Sequence, residues 1–95
     1  MNAFDTFTFE GRTINLYGNA TLLYILCTDI FVTALGHRTI QDSHIWRNLK
    51  LNPDYFHANA DGVWYFTRTG LIHVLKHSHK PNAKPLLAAF EQKLK

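Results

Sequence analysis

Apolar and polar positions alternate at the start of the chain. Phe7-Thr8-Phe9 and Arg12-Thr13-Ile14-Asn15-Leu16 flank the pair Glu10-Gly11. Period-two alternation on both sides of a Gly-containing pair predicts a β-hairpin, with Gly11 supplying the positive φ that a tight turn needs. A two-residue turn sets Phe7 opposite Ile14, both facing a core. Gly18-Asn19 marks a second turn. Leu22 to Leu26 is then a continuous apolar run, which predicts a short buried strand; periodicity alone also admits a helix there.

Beyond this run the spacing changes to three and four. Thr28 and Asp29 are helix-start residues, Ile30, Phe31, Ala34 and Leu35 give one apolar face, and Gly36 is a natural stop. Such a two-turn helix is too short to stand without packing. A second helical stretch is expected from His37 to Lys50, starting near Thr39 or Asp42. Ile45, Trp46 and Leu49 would face inward, with Arg38, Arg47 and Lys50 outward. Asn52-Pro53-Asp54 ends it.

Tyr55-Phe56-His57 and Val63-Trp64-Tyr65-Phe66, joined by a loop ending in Asp61-Gly62, predict a second, aromatic hairpin. An amphipathic helix follows, with Thr69 expected as its N-cap. Leu71, Ile72, Val74, Leu75 and Ser78 fall on one side. His73, Lys76 and His77 fall on the other, and Lys80 joins them if the helix runs that far. Asn82 is expected to cap a last helix with Pro85 in its first turn, where no N–H is required. Leu86, Leu87, Phe90 and Leu94 form its buried stripe. The chain reads as one α+β domain over residues 1–95: a small, mostly antiparallel sheet of two hairpins plus a short buried strand, with about four short helices packed on it.

Hydrophobic residues make up 46% of the 95 positions, so a core can form without metal or disulfides. The net charge of +3 is mild, but its distribution is not. From Gly62 to Phe90 there are four cations (Arg68, Lys76, Lys80, Lys84), three histidines and no Asp or Glu. Cys27 is alone in an apolar run, which fits a reducing compartment and an inert thiol. No stretch has the pattern of a signal peptide or a membrane span, so a cytoplasmic location is expected.

The order Phe-Thr-Phe-Glu-Gly-Arg-Thr-Ile, then Thr-Asp-Ile-Phe-Val-Thr-Ala-Leu-Gly, then an aromatic strand running into Thr-Gly-Leu-Ile-His-Val-Leu-Lys-His-Ser-His-Lys-Pro-Asn-Ala-Lys, resembles the Bro-N domain. That family forms the N-terminal domain of baculoviral repeated-open-reading-frame proteins and of many phage antirepressors. Its pattern has an aspartate-led helix ending in Leu-Gly, and a Gly-Leu segment reaching Lys-Pro-x-Ala-Lys before a last helix. The strongest match is residues 69–84. The resemblance implies a DNA-binding or antirepressor regulatory module of viral or phage origin, working in the host cytoplasm. Larger family members continue into a second domain, so a lone module reused as a protein-binding inhibitor is the alternative.

Candidate chemistry is of two kinds. In the first, Arg68, Lys76, His77, Lys80 and Lys84 neutralise DNA phosphates, with Arg38, Arg47 and Lys50 as a second basic cluster. Asn82 and the N–H groups at the start of the last helix would hold a phosphate. In the second, the same cations meet an acidic patch on a host protein such as a repressor or a defence nuclease, or aromatics around Trp46, Tyr55 and Trp64 do the gripping. A homodimer through the edge of the Tyr55–Phe66 hairpin is compatible with both.

Other chemistry is read as absent. His73, His77 and His79 have spacing that can chelate zinc or nickel, but no Cys or Glu completes a familiar pattern, so they read as surface histidines. No metal site and no cofactor are expected. Tyr55, Phe56, Trp64, Tyr65 and Phe66 read mainly as core; Tyr65, if outward, is the candidate for base stacking. Asp29, Asp42, Asp54 and Asp61 sit where caps and turns account for them, and no catalytic residue or enzyme activity is expected.

Overall fold

The computed structural model describes residues 3–19, 21–39, 52–59 and 61–94. The first hairpin forms as its alternation requires. Strands β1 (Ala3–Phe9) and β2 (Arg12–Gly18) pair antiparallel with Phe7 opposite Ile14, and both side chains are buried. Glu10 (φ 51°) and Gly11 (φ 77°) both take positive φ, the geometry of a two-residue turn whose twist matches the strands. β3 (Leu23–Leu26) pairs with β2, so the apolar run is a strand. Leu22 lies outside it and is 61% exposed.

The second hairpin is β4 (Phe56–Ala58) with β5 (Trp64–Thr67). β5 slots between β3 and β4, giving one five-stranded sheet in the order β1-β2-β3-β5-β4. Every pairing in it is antiparallel. One face buries Phe7, Phe9, Ile14, Leu16, Leu23, Ile25, Phe56 and Phe66 against the helices. At its centre Phe66 meets Phe31 at 5.3 Å and Phe56 at 5.1 Å between ring centroids.

Three helices occur among the described residues, fewer than the four or so expected. The fourth, expected from His37 to Lys50, falls mostly on residues 40–50, outside the described ones. The first, α1 (Asp29–Ala34), is π-helical, closed by a bond from Leu35 N–H to Ile30 O at 2.9 Å. Thr28 gives it no side-chain cap, but Ile30, Phe31, Ala34 and Leu35 are buried as their spacing requires, and Gly36 ends it with φ 81°.

Helix α2 (Arg68–His77) starts two residues earlier than expected and is capped by Thr67, not Thr69. Thr67 Oγ1 accepts from Gly70 N–H at 3.1 Å and donates to Asp54 O at 2.6 Å, while Thr67 N–H donates to Tyr55 O at 3.0 Å. Only residue 67 has the extended backbone that aims a hydroxyl at the first free N–H groups. Ser78 is extended, so the helix stops before Lys80. Leu71, Val74 and Leu75 are buried, and Phe90 of α3 (Ala83–Lys93) closes on Phe7 at 6.1 Å. Lys93 and Asp5 pair at 2.9 Å across the edge of that contact, holding the Asp5 carboxyl below its usual range.

Gly70 lies where a Cβ would sit 2.0 Å from Tyr55 O, so α2 approaches the 52–56 turn as only glycine permits. Helix propensity alone favours alanine by about 1 kcal/mol. The clash predicts the opposite sign: Gly70→Ala destabilises by about 1–3 kcal/mol in urea unfolding. Thr67→Ala should cost about 1–2 kcal/mol, whereas exposed Thr69→Ala should stay within about 0.5 kcal/mol. A stabilised Gly70→Ala variant, or equal costs at the two threonines, contradicts this packing.

Candidate functional site

The cationic side chains fall at the outer end of the two long helices. Lys76 and His77 occupy the exposed last turn of α2, and Lys84 the exposed first turn of α3. The connector Ser78–Asn82 carries half-buried Lys80 between them. These residues form one rim. Arg68 is exposed at the other end of α2, eight residues from Lys76, about 12 Å away along the axis. It borders a second hollow with Thr21, Leu22, Tyr24, Thr67 and Thr69 and does not join the rim. Arg68, Lys76, Lys80 and Lys84 make no ion pair among the described residues.

The rim is anchored from beneath by Asn82. It occupies the N-cap position of α3, but its side chain makes no cap bond; Nδ2 donates to Ala34 O at the end of α1. The main chain satisfies one first-turn donor instead, with Ala83 N–H donating to Lys80 O at 3.1 Å. Pro85 lies in the first turn of α3 without loss of a bond. Lys80, Pro81, Asn82 and Pro85 line one side of an open groove of about 560 Å³; Glu10 and Leu35 line the other. Glu10 is thus the one acidic residue of the lining, and it makes no ion pair with Lys80. Exposed Arg38 follows three residues after Leu35, on the chain leaving this groove. Arg47 and Lys50 lie outside the described residues, as does Trp46.

No family model, curated protein or solved structure matches this chain. Its site is therefore read from its own side chains.

The aromatic candidates are redistributed. Trp64 and Tyr55 are half-buried against the core, as the main reading has it, and neither is the exposed anchor of the alternative. Tyr65 does point away from the helices but is only 5% exposed. Tyr17 and Tyr24 close over it at 5.5 and 6.5 Å, edge-on, and Tyr24 lies 4.9 Å from His57. The alternation of Ile14 and Leu16 inward with Asn15 and Tyr17 outward carried the signal for this second cluster.

Nucleophilic chemistry has no support among the described groups. Cys27 is fully buried, and burial pushes its thiol far up. Burial also raises the Asp29 carboxyl, opposed by a bond from the Asn15 backbone. No group of three or more His, Cys, Asp or Glu that could hold a metal occurs among the described residues. No helix among them is long and apolar enough to cross a membrane.

His73 stacks on Tyr55 at 4.6 Å and 18°, and its ring lies 4.5 Å from that of His77. Desolvation, then the charge of His77, hold His73 below its ordinary 6.5. The unfolded chain then binds that proton more readily. The stability that neutral His73 contributes is complete above about pH 6.5 and is lost as pH falls through the lower folded value. An NMR titration should place the His73 midpoint below 6.5, and His77→Gln should move it upward. A midpoint at or above 6.5 contradicts the stack.

Proposed function

We propose that this protein is a small DNA-binding regulatory module of the Bro-N, antirepressor kind, acting as a binder and not as a catalyst. The rim of Lys76, His77, Lys80 and Lys84 takes the phosphate backbone, with Arg38 beside it. Kinship with the Bro-N family is part of this proposal and rests on the residues quoted for it. The observation that carries the reading is the acid-free run from Gly62 to Phe90, whose lysines lie toward one edge of the fold with no ion pair among the described residues. Few cations are involved, so binding to arbitrary duplex DNA belongs in the range of about 10⁻⁴–10⁻⁶ M and weakens with salt with a log–log slope of roughly −3 to −4.

A second reading is an inhibitor of a host protein. The groove favours it, because Glu10, Leu35, Pro81 and Pro85 beside Lys80 give a mixed charge and apolar lining that suits a protein surface better than a phosphate chain.

Fluorescence anisotropy with a labelled duplex at several salt concentrations separates the two. The DNA reading expects the triple variant K76E/K80E/K84E to bind at least about tenfold more weakly and to lower the salt slope by about 3. Binding unchanged between 50 and 500 mM salt, or unchanged in the triple variant, contradicts it. Absence of DNA binding together with one stoichiometric protein partner supports the inhibitor.

A further inference from the structure

Along the outer face of α2, His73 and His77 are four residues apart and their rings lie 4.5 Å apart at 45°. His77 is exposed and His73 half-buried. Neither imidazole makes a hydrogen bond within the described chain; their contacts are with each other and with Tyr55. Two uncommitted imidazoles on adjacent turns of one helix, with their rings this close, are an arrangement a metal ion can bridge.

We infer that His73 and His77 form a two-histidine site for a transition-metal ion of the copper(II), nickel(II) and zinc(II) class, with water completing the coordination. A metal–nitrogen bond of about 2.0–2.1 Å puts the ion roughly 3.2 Å from an imidazole centroid. Two imidazoles bound at roughly 90–110° around one ion then have centroids roughly 4.5–5.2 Å apart. The rings stand at the short end of that range, the one set by the right angles of tetragonal copper(II) or nickel(II).

One ligand is already oriented. The near-parallel stack on Tyr55 restrains the His73 ring, so only exposed His77 must be ordered on binding. A ligating imidazole is neutral. Neutral nitrogen donors exclude calcium and magnesium, which take oxygen ligands.

The charges around the pair set an upper limit on affinity. Lys76 shares the exposed helix face and Lys80 follows on the connector; both repel a dication. The turn that supplies Tyr55 also carries Asp54, its neighbour in the chain. With no third protein ligand among the described residues, the site is open and exchangeable. His79 stands apart, because Ser78 turns the chain out of the helix at ψ 140°. The inference does not depend on the DNA reading: it would hold if the lysines bound nothing.

Copper(II) added to untagged protein at neutral pH, followed by calorimetry and by paramagnetic broadening of the histidine ring signals, tests it. One ion should bind per chain, and His73 and His77 should broaden first. His77→Gln should weaken binding by at least the roughly 10–100-fold that even an outer-shell loss costs a metal site. His79→Gln should leave it unchanged. Nickel(II) should raise the melting temperature of the parent and not of His77→Gln. Failure to bind copper(II), binding untouched by His77→Gln, or first broadening at His37, His57 or His79 overturns the inference.

Discussion

The fold depends on how closely the first turn of α2 can approach the turn before β4. Gly70 lies against the Tyr55 carbonyl with no room for a side chain. Around that contact Thr67 bonds three ways, to Asp54, Tyr55 and Gly70. One threonine thereby ends β5, starts α2 and holds the 52–56 turn. These bonds set where the helix leaves the sheet. Burial of Leu71, Val74 and Leu75 then fixes its rotation, and with it which residues face water. The positions of His73, Lys76 and His77 follow from that contact.

The same economy operates at the far end. Arg12 of β2 donates to Thr33 O at 2.6 Å, and Asn82 holds Ala34 O. The end of α1, the α2–α3 connector and the first hairpin turn therefore converge on one edge, where the cationic rim and the groove meet. An unpaired lysine is inexpensive there because it keeps most of its hydration. Such a rim is cheap to maintain and is available to a polyanion.

Local features were legible in the sequence. The register of Phe7 on Ile14, the buried stripe of α2 and Pro85 in the first turn of α3 all follow from spacing and backbone rules acting over a few residues. What escaped was set by distant contacts. Thr67 outranks Thr69 as the cap because the strand before it is extended and Asp54 waits for its hydroxyl, thirteen residues away in sequence. Tyr65 points outward as alternation demands, yet tyrosines from β2 and β3 cover it. Asn82 has the right type and place for a cap, but a carbonyl 48 residues earlier claims its amide. The insertion of β5 between β3 and β4 has no signal in either segment. For the site, the acid-free run located the rim, while the split between Arg68 and Lys76 became visible only once α2 had a length and two ends.

We propose that the α2–α3 rim is the surface that meets a polyanion. Amide chemical-shift mapping of the isotope-labelled protein with a short DNA duplex tests this most directly. Shifts should concentrate at residues 76–84 and near Arg38, with little change on the tyrosine-bearing face of the sheet. Shifts centred on Tyr17, Tyr24 and His57, or no shifts at DNA concentrations in the hundreds of micromolar, would contradict it.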